Sequence, residues 1–92
     1  MQTVKASALL TNKVGLHARP SVKLTQTAKR FSASIQVATS ESGPWTDAKS
    51  PVKIMRVKAA QGETLHFQAM GEDAQAAVAA LVDIVARKFD EE

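Results

Sequence analysis

A chain of 92 residues with 45% apolar and 23% charged side chains has room for one small core and is not the composition of a disordered segment. Its net charge of +3 is modest, and the lack of cysteine excludes a disulfide framework or a thiolate metal site and fits a reducing, cytoplasmic setting. No apolar run approaches a membrane span and no secretory leader pattern opens the chain, so membrane insertion is not expected.

Residues 3–10 alternate, with Val4, Ala6, Ala8 and Leu10 on one side and Thr3, Lys5 and Ser7 on the other, the pattern of a half-buried strand. Thr11-Asn12-Lys13 breaks it and leads into Gly15-Leu16-His17-Ala18-Arg19-Pro20. From residue 19 to 31 the spacing turns helical, with Leu24, Ala28 and Phe31 in one stripe. Val22 falls off that stripe and lines up with Gln26 and Lys29, an apolar residue on the wet face. Residues 34–39 alternate through Ile35 and Val37, and after the turn at 40–44 the segment 45–48 returns as a short antiparallel partner.

Ser50-Pro51 reads as an N-cap and an N1 proline, opening a short helix through Val52, Ile54, Met55 and Val57. A turn at 61–63 precedes a strand over 64–70 with Leu65, Phe67 and Ala69 inward. Gly71-Glu72-Asp73 then begins the longest helix, whose stripe is Ala74, Ala77, Val78, Leu81, Val85 and Phe89. Four strands with helices on one apolar face make a two-layer α+β sandwich, and with no linker or repeat, residues 1–92 read as one domain.

The chemistry concentrates in the 15–20 segment. Pro20 is expected as the first or second helical residue, because proline suits the first turn, where its missing N–H would have no helical acceptor. That puts His17 and Arg19 at the mouth of a helix, where unpaired amides and the positive dipole end attract anions. An imidazole nucleophile, a helix end and a guanidinium within three positions suit the holding of a phosphoryl group. No carboxylate lies near His17 in sequence to activate water against such an adduct. No cofactor and no metal is expected.

Other charged and aromatic residues read more plainly. Lys49, Lys53, Arg56 and Lys58 crowd one segment, as either a solvated basic face or a docking surface for acidic partners. Three Phe and one Trp, none interleaved with that cluster, speak against a stacking platform for nucleic acid. His66 lies on the outward side of its strand and is assigned no role; Trp45 is read as a cap on the sheet edge.

The histidine loop, the Lys49-Ser50 segment opening a short helix, and Gly71-Glu72-Asp73 before the last helix together resemble the histidine-containing phosphocarrier (HPr) family of bacterial phosphotransferase systems. The likeness runs over nearly the whole chain. Residues 12–17 and the closing Phe89-Asp90-Glu91-Glu92 are more similar to its nitrogen-related branch. The resemblance implies an open-faced β-sandwich, a four-stranded antiparallel sheet covered on one face by three helices.

It also implies that His17 accepts a phosphoryl group through Nδ1 from enzyme I and passes it to a histidine of an A-type enzyme II domain. Arg19 would assist, with the amides of Ala18 and Arg19 as the phosphoryl-binding helix end. Ser50 would be a candidate regulatory phosphorylation site, with an HPr serine kinase as a candidate partner, although Pro51 departs from the apolar residue usual after that serine. Leu16, Val22, Gln26, Lys29, Val52, Met55 and Arg56 would form the partner surface of a monomer. An alternative of another class is a regulatory docking module of the same fold, acting by phosphorylation-dependent binding.

Overall fold

Alternation of side chains along the strands decides which face of the sheet is dry. In the computed structural model, which describes residues 3–90, four strands pair antiparallel in the order β1-β4-β2-β3. They are β1 (Thr3–Leu9), β2 (Ser34–Ala38), β3 (Thr46–Asp47) and β4 (Thr64–Met70). Register aligns Val4 with Ala69 and Ile35, and Ala6 with Phe67 and Val37, so the inward residues of three strands meet in rows. Phe67, Leu65 and Val37 are fully buried there. Burial of a side chain such as Phe67 stabilises the fold by about 1.5–3 kcal/mol.

Three helices cover this face: α1 (Ala18–Ala28), α2 (Pro51–Met55) and α3 (Ala74–Ala86). Helix α3 packs on β1 and β4, and α1 packs against α2 and α3. The expected stripe of α3 is buried throughout, with Ile84 added to it. Helix α2 forms where the Ser-Pro pair places it: the Ser50 side chain accepts a hydrogen bond from the Lys53 amide at 3.4 Å, and Pro51 occupies the first helical position. The open-faced α+β sandwich expected from the sequence is the architecture observed.

Strands β1, β2 and β3 and helix α2 end one or two residues short of their expected limits, and the larger differences lie at α1 and after α3. Helix α1 starts at Ala18, so Pro20 is its third residue rather than its first or second; the first turn has no helical acceptor for any of its amides, and proline is equally harmless there. The helix ends at Ala28, and Phe31 follows in a turn, half-buried. The stripe residue Phe89 lies beyond α3, in a left-handed turn over Lys88–Asp90 with φ of 55°, 57° and 59°. Burial of Phe89, the Arg87 Nη1 group donating to both Asp90 carboxylate oxygens at 2.9 and 2.7 Å, and a bond from Lys23 Nζ to the Phe89 carbonyl at 2.8 Å hold that unfavourable backbone. The Glu91-Glu92 end that contributed to the nitrogen-branch resemblance lies outside the described residues.

Asp73 precedes α3 but does not cap it. Its carboxylate accepts from the amides of Ser32 and Ala33, both at 2.8 Å, and so ties α3 to the entrance of β2. The bond from Ser32 chiefly, with that from Ala33 against a smaller opposing effect of burial, lowers its pKa below the ordinary 3.8. A lowered folded-state pKa contributes stability that is present above the unfolded value and lost as pH falls through the folded one. Asp73→Asn is therefore expected to be less stable than wild type in urea at pH 7. The gap should close as both proteins are titrated toward pH 2; a gap independent of pH would show that the charge is not what matters.

Candidate functional site

The loop before α1 is built around one glycine and one buried leucine. Gly15 has φ of +65°, and a Cβ there would lie 2.5 Å from the Ala59 carbonyl oxygen and 2.9 Å from Ala60 Cα. Only a residue without a side chain allows this approach. The next amide, Leu16 N–H, donates to that same Ala59 carbonyl at 2.8 Å, while the buried Asn12 side-chain amide donates to the Gly15 carbonyl at 2.8 Å. Leu16 is 2% exposed and belongs to the core. It was expected on the partner surface and is instead the loop's anchor, because extended backbone alternates sides: Leu16 points inward so that His17 points out.

His17 is exposed and occupies the N-cap of α1 with extended backbone, and its side chain makes no cap hydrogen bond. Its carbonyl accepts the first helical bond, from Ser21 N–H at 2.8 Å. The amides at Ala18 and Arg19 precede that bond, at the end of an eleven-residue helix with no acidic side chain in its first turn. The positive helix end is thus open to an incoming anion.

Two surface depressions share His17. One, of about 370 Å³, is lined by Val14, His17, Ala18, Arg19 and Pro20. The other, of about 470 Å³, shares Val14, His17 and Ala18 with it and is completed by Leu16, Met55, Lys58, Ala59 and Ala60. No Asp or Glu lines either among the described residues. An adjoining groove between α1 and α2 is formed by Ala18, Arg19, Val22, Lys23, Gln26 and Met55.

The expected surface residues divide accordingly. Val22 (41% exposed), Gln26 and Met55 (43%) border the groove beside His17. Val52 is 57% exposed on α2, and Lys29 is exposed at the C-terminal end of α1; neither lines these depressions. Arg56 borders a different hollow, with Lys53, Thr39 and Thr46. Ser50 is likewise apart from the His17 depressions.

The basic cluster read in the sequence is divided, with Lys53 and Arg56 alone sharing a hollow. Lys49 Nζ donates to the Phe31 carbonyl at 2.7 Å, whereas Lys58 turns toward His17. Val14, 62% exposed beside His17, is not singled out by the sequence, and Lys58, read there only as part of a basic segment, lines the same depression with a positive φ of 54°. A valine within a polar loop is the available signal for Val14; the basic segment marks Lys58 as a cation, but nothing in its neighbourhood places it beside His17.

Comparison with known proteins gives this geometry a family. The pattern described as "PTS HPr component phosphorylation site" matches residues 4–87. The chain belongs to the HPr family. It is 43% identical over 82 residues to the phosphocarrier protein HPr of Cupriavidus necator, covering 89% of this chain and 90% of that one. It is 32% identical over 90 residues to the phosphocarrier protein NPr of Escherichia coli, covering 98% and 99%. That match supports the nitrogen-related resemblance. Among solved structures, HPr-C-His from Thermoanaerobacter tengcongensis superposes with a TM-score of 0.84 at 39% identity, over 100% of this chain and 99% of that one. Members of this HPr/NPr family are phosphocarriers of the phosphotransferase system, and no described helix is long and apolar enough to cross a membrane.

Proposed function

We propose that His17 is the transient phosphoryl acceptor, charged by phosphorylated enzyme I and discharged to a histidine of an A-type enzyme II domain. The observation that carries this reading is an exposed imidazole at the N-cap of α1 whose side chain caps nothing, leaving its ring available. The lone pair of Nδ1 forms a new N–P bond as the donor's N–P bond breaks, and the donor ring regains the electron pair. The transferring group has a loose, charge-rich transition state that needs positioning and electrostatic help rather than covalent assistance. The amides of Ala18 and Arg19 and the Arg19 guanidinium supply it.

A carrier must also release its cargo. One guanidinium and a helix end hold a phosphoryl group without trapping it, and the lining lacks a carboxylate to activate water among the described residues. Val14, Val22 and Met55 offer apolar contact around the histidine, with Arg19 and Lys58 as cations. Such a surface suits brief encounters with acidic partners whose rate is set by charge.

Incubation with phosphoenolpyruvate and enzyme I, followed by phosphorus NMR and mass spectrometry that preserves P–N bonds, tests the proposal. One acid-labile phosphoryl group on Nδ1 of His17 is expected; a label on any other residue overturns it. Arg19→Lys keeps the charge but loses the planar two-pronged donor. Transfer from enzyme I is expected to slow roughly tenfold, and Arg19→Met by roughly a hundredfold, in rapid-quench assays.

A further inference from the structure

The sheet face turned away from the helices carries a depression of about 410 Å³, bordered by Lys5, Ser7, Glu41, Trp45 and His66. None of the residues around His17 contributes to it. Ser7, His66 and Ala38 occupy one cross-strand row in β1, β4 and β2. Trp45 stands immediately before β3, one step past the Val37–Thr46 pair, and so continues that row.

In the neighbouring row Gln68 and Gln36 hydrogen-bond to each other at 2.6 Å. By contrast, the side chains of Lys5, Glu41, Trp45 and His66 form no hydrogen bond or ion pair among the described residues. Four side chains able to bind a ligand therefore converge on one hollow with no mutual bonds to break. Its size is at the lower end of small-molecule sites.

Their arrangement has a direction. The ammonium, hydroxyl and imidazole lie on β1 and β4, while the indole and carboxylate come from the β2–β3 connection at the other side. Three strand spacings, about 14 Å, separate the two ends of the row. The matching ligand has an anion at one end and a flat ring bearing hydrogen-bond donors at the other.

We propose that this depression binds a nucleoside monophosphate with an amino-bearing base. The base stacks on Trp45 and donates its amino group to Glu41, and the phosphate rests on Lys5, Ser7 and His66. An aromatic amino acid fits less well, because its ammonium and carboxylate share one carbon and would need Lys5 and Glu41 side by side. Inorganic phosphate leaves Trp45 and Glu41 without a use. A nucleic-acid strand needs successive stacking platforms, whereas this face has a single indole.

Trp45 is the only tryptophan and the chain has no tyrosine, so intrinsic fluorescence reports on this hollow alone. Titrating the full chain with adenosine monophosphate should give saturable quenching at roughly millimolar concentration or below. Adenosine should bind at least about fivefold more weakly, and ribose 5-phosphate should not quench. Lys5→Met, an exposed change, should weaken adenosine monophosphate about tenfold while phosphoryl acceptance at His17 is unchanged. Amide NMR shifts should centre on β1, β4 and residues 39–45. Absence of saturation by about 5 mM overturns the proposal, as do equal responses to ribose 5-phosphate, an unaffected Lys5→Met variant, or shifts centred on residues 15–20.

Discussion

His17→Asn is expected to abolish phosphoryl acceptance and, at the same time, to make the protein more stable. The histidine occupies an N-cap, where asparagine, aspartate and serine are preferred because their short side chains accept a bond from the first-turn amides. His17 makes no such bond, so its removal costs no capping interaction. Asparagine can add one and contribute about 0.5–1 kcal/mol. For a domain of this size that is about 3–6 °C in Tm. Labelling with phosphoenolpyruvate and enzyme I should fall to background, while thermal unfolding shifts upward. Undiminished labelling of the variant would remove His17 as the acceptor. Lost labelling with a Tm drop of several degrees would show instead that the imidazole has a structural duty. The stabilising choice at this position is thus the inactive one, as expected where a site residue is held against the local preference of the backbone.

Gly15→Ala carries the second large effect, this time on both folding and transfer. The new Cβ faces left-handed strain at φ of +65° and a backbone oxygen at 2.5 Å that cannot rotate away. Relief requires the loop to leave residues 59–60, which breaks the bond from Leu16 N–H to the Ala59 carbonyl and dislodges the buried Leu16. A loss of about 2–4 kcal/mol in urea unfolding is expected. Phosphoryl acceptance should fall as well, since the same segment aims His17. Gly62→Ala is the natural control: its φ is +93°, but a Cβ there meets nothing within 4 Å. It should cost about 1–2 kcal/mol and leave transfer untouched. Equal losses for the two variants would contradict the role given to the contact with residues 59–60.

Much of the fold was legible because each element carried a local signal. The alternation in β1 and β4 survives intact, with Leu65, Phe67 and Ala69 buried, and Ser50-Pro51 begins α2 as its capping chemistry requires. The exposure of Val22 follows directly from its angle on α1. The exposed placement of His17 at a helix mouth was legible for the same reason: Gly15, His17, Arg19 and Pro20 lie within a few positions of each other. Errors arose where distant segments meet. The resemblance puts Leu16 on the partner surface, whereas the approach of Ala59 and Ala60 turns it inward. Phe89 kept helical spacing, yet the chain changes handedness beneath it.

By itself, the amino-acid order determined the four strands, the three helices, the dry face of the sheet and the helix mouth that bears His17, because these depend on periodicity and on capping within a few residues. Only the tertiary structure decided that Lys49 holds the turn after α1 through the Phe31 carbonyl, that Asp73 holds the entrance of β2, and that Val14, Met55 and Lys58 gather around the histidine. A lysine or an aspartate carries no record of its partner in its own sequence neighbourhood. Its bond is set by which backbone donor or acceptor the packing of distant elements leaves within reach.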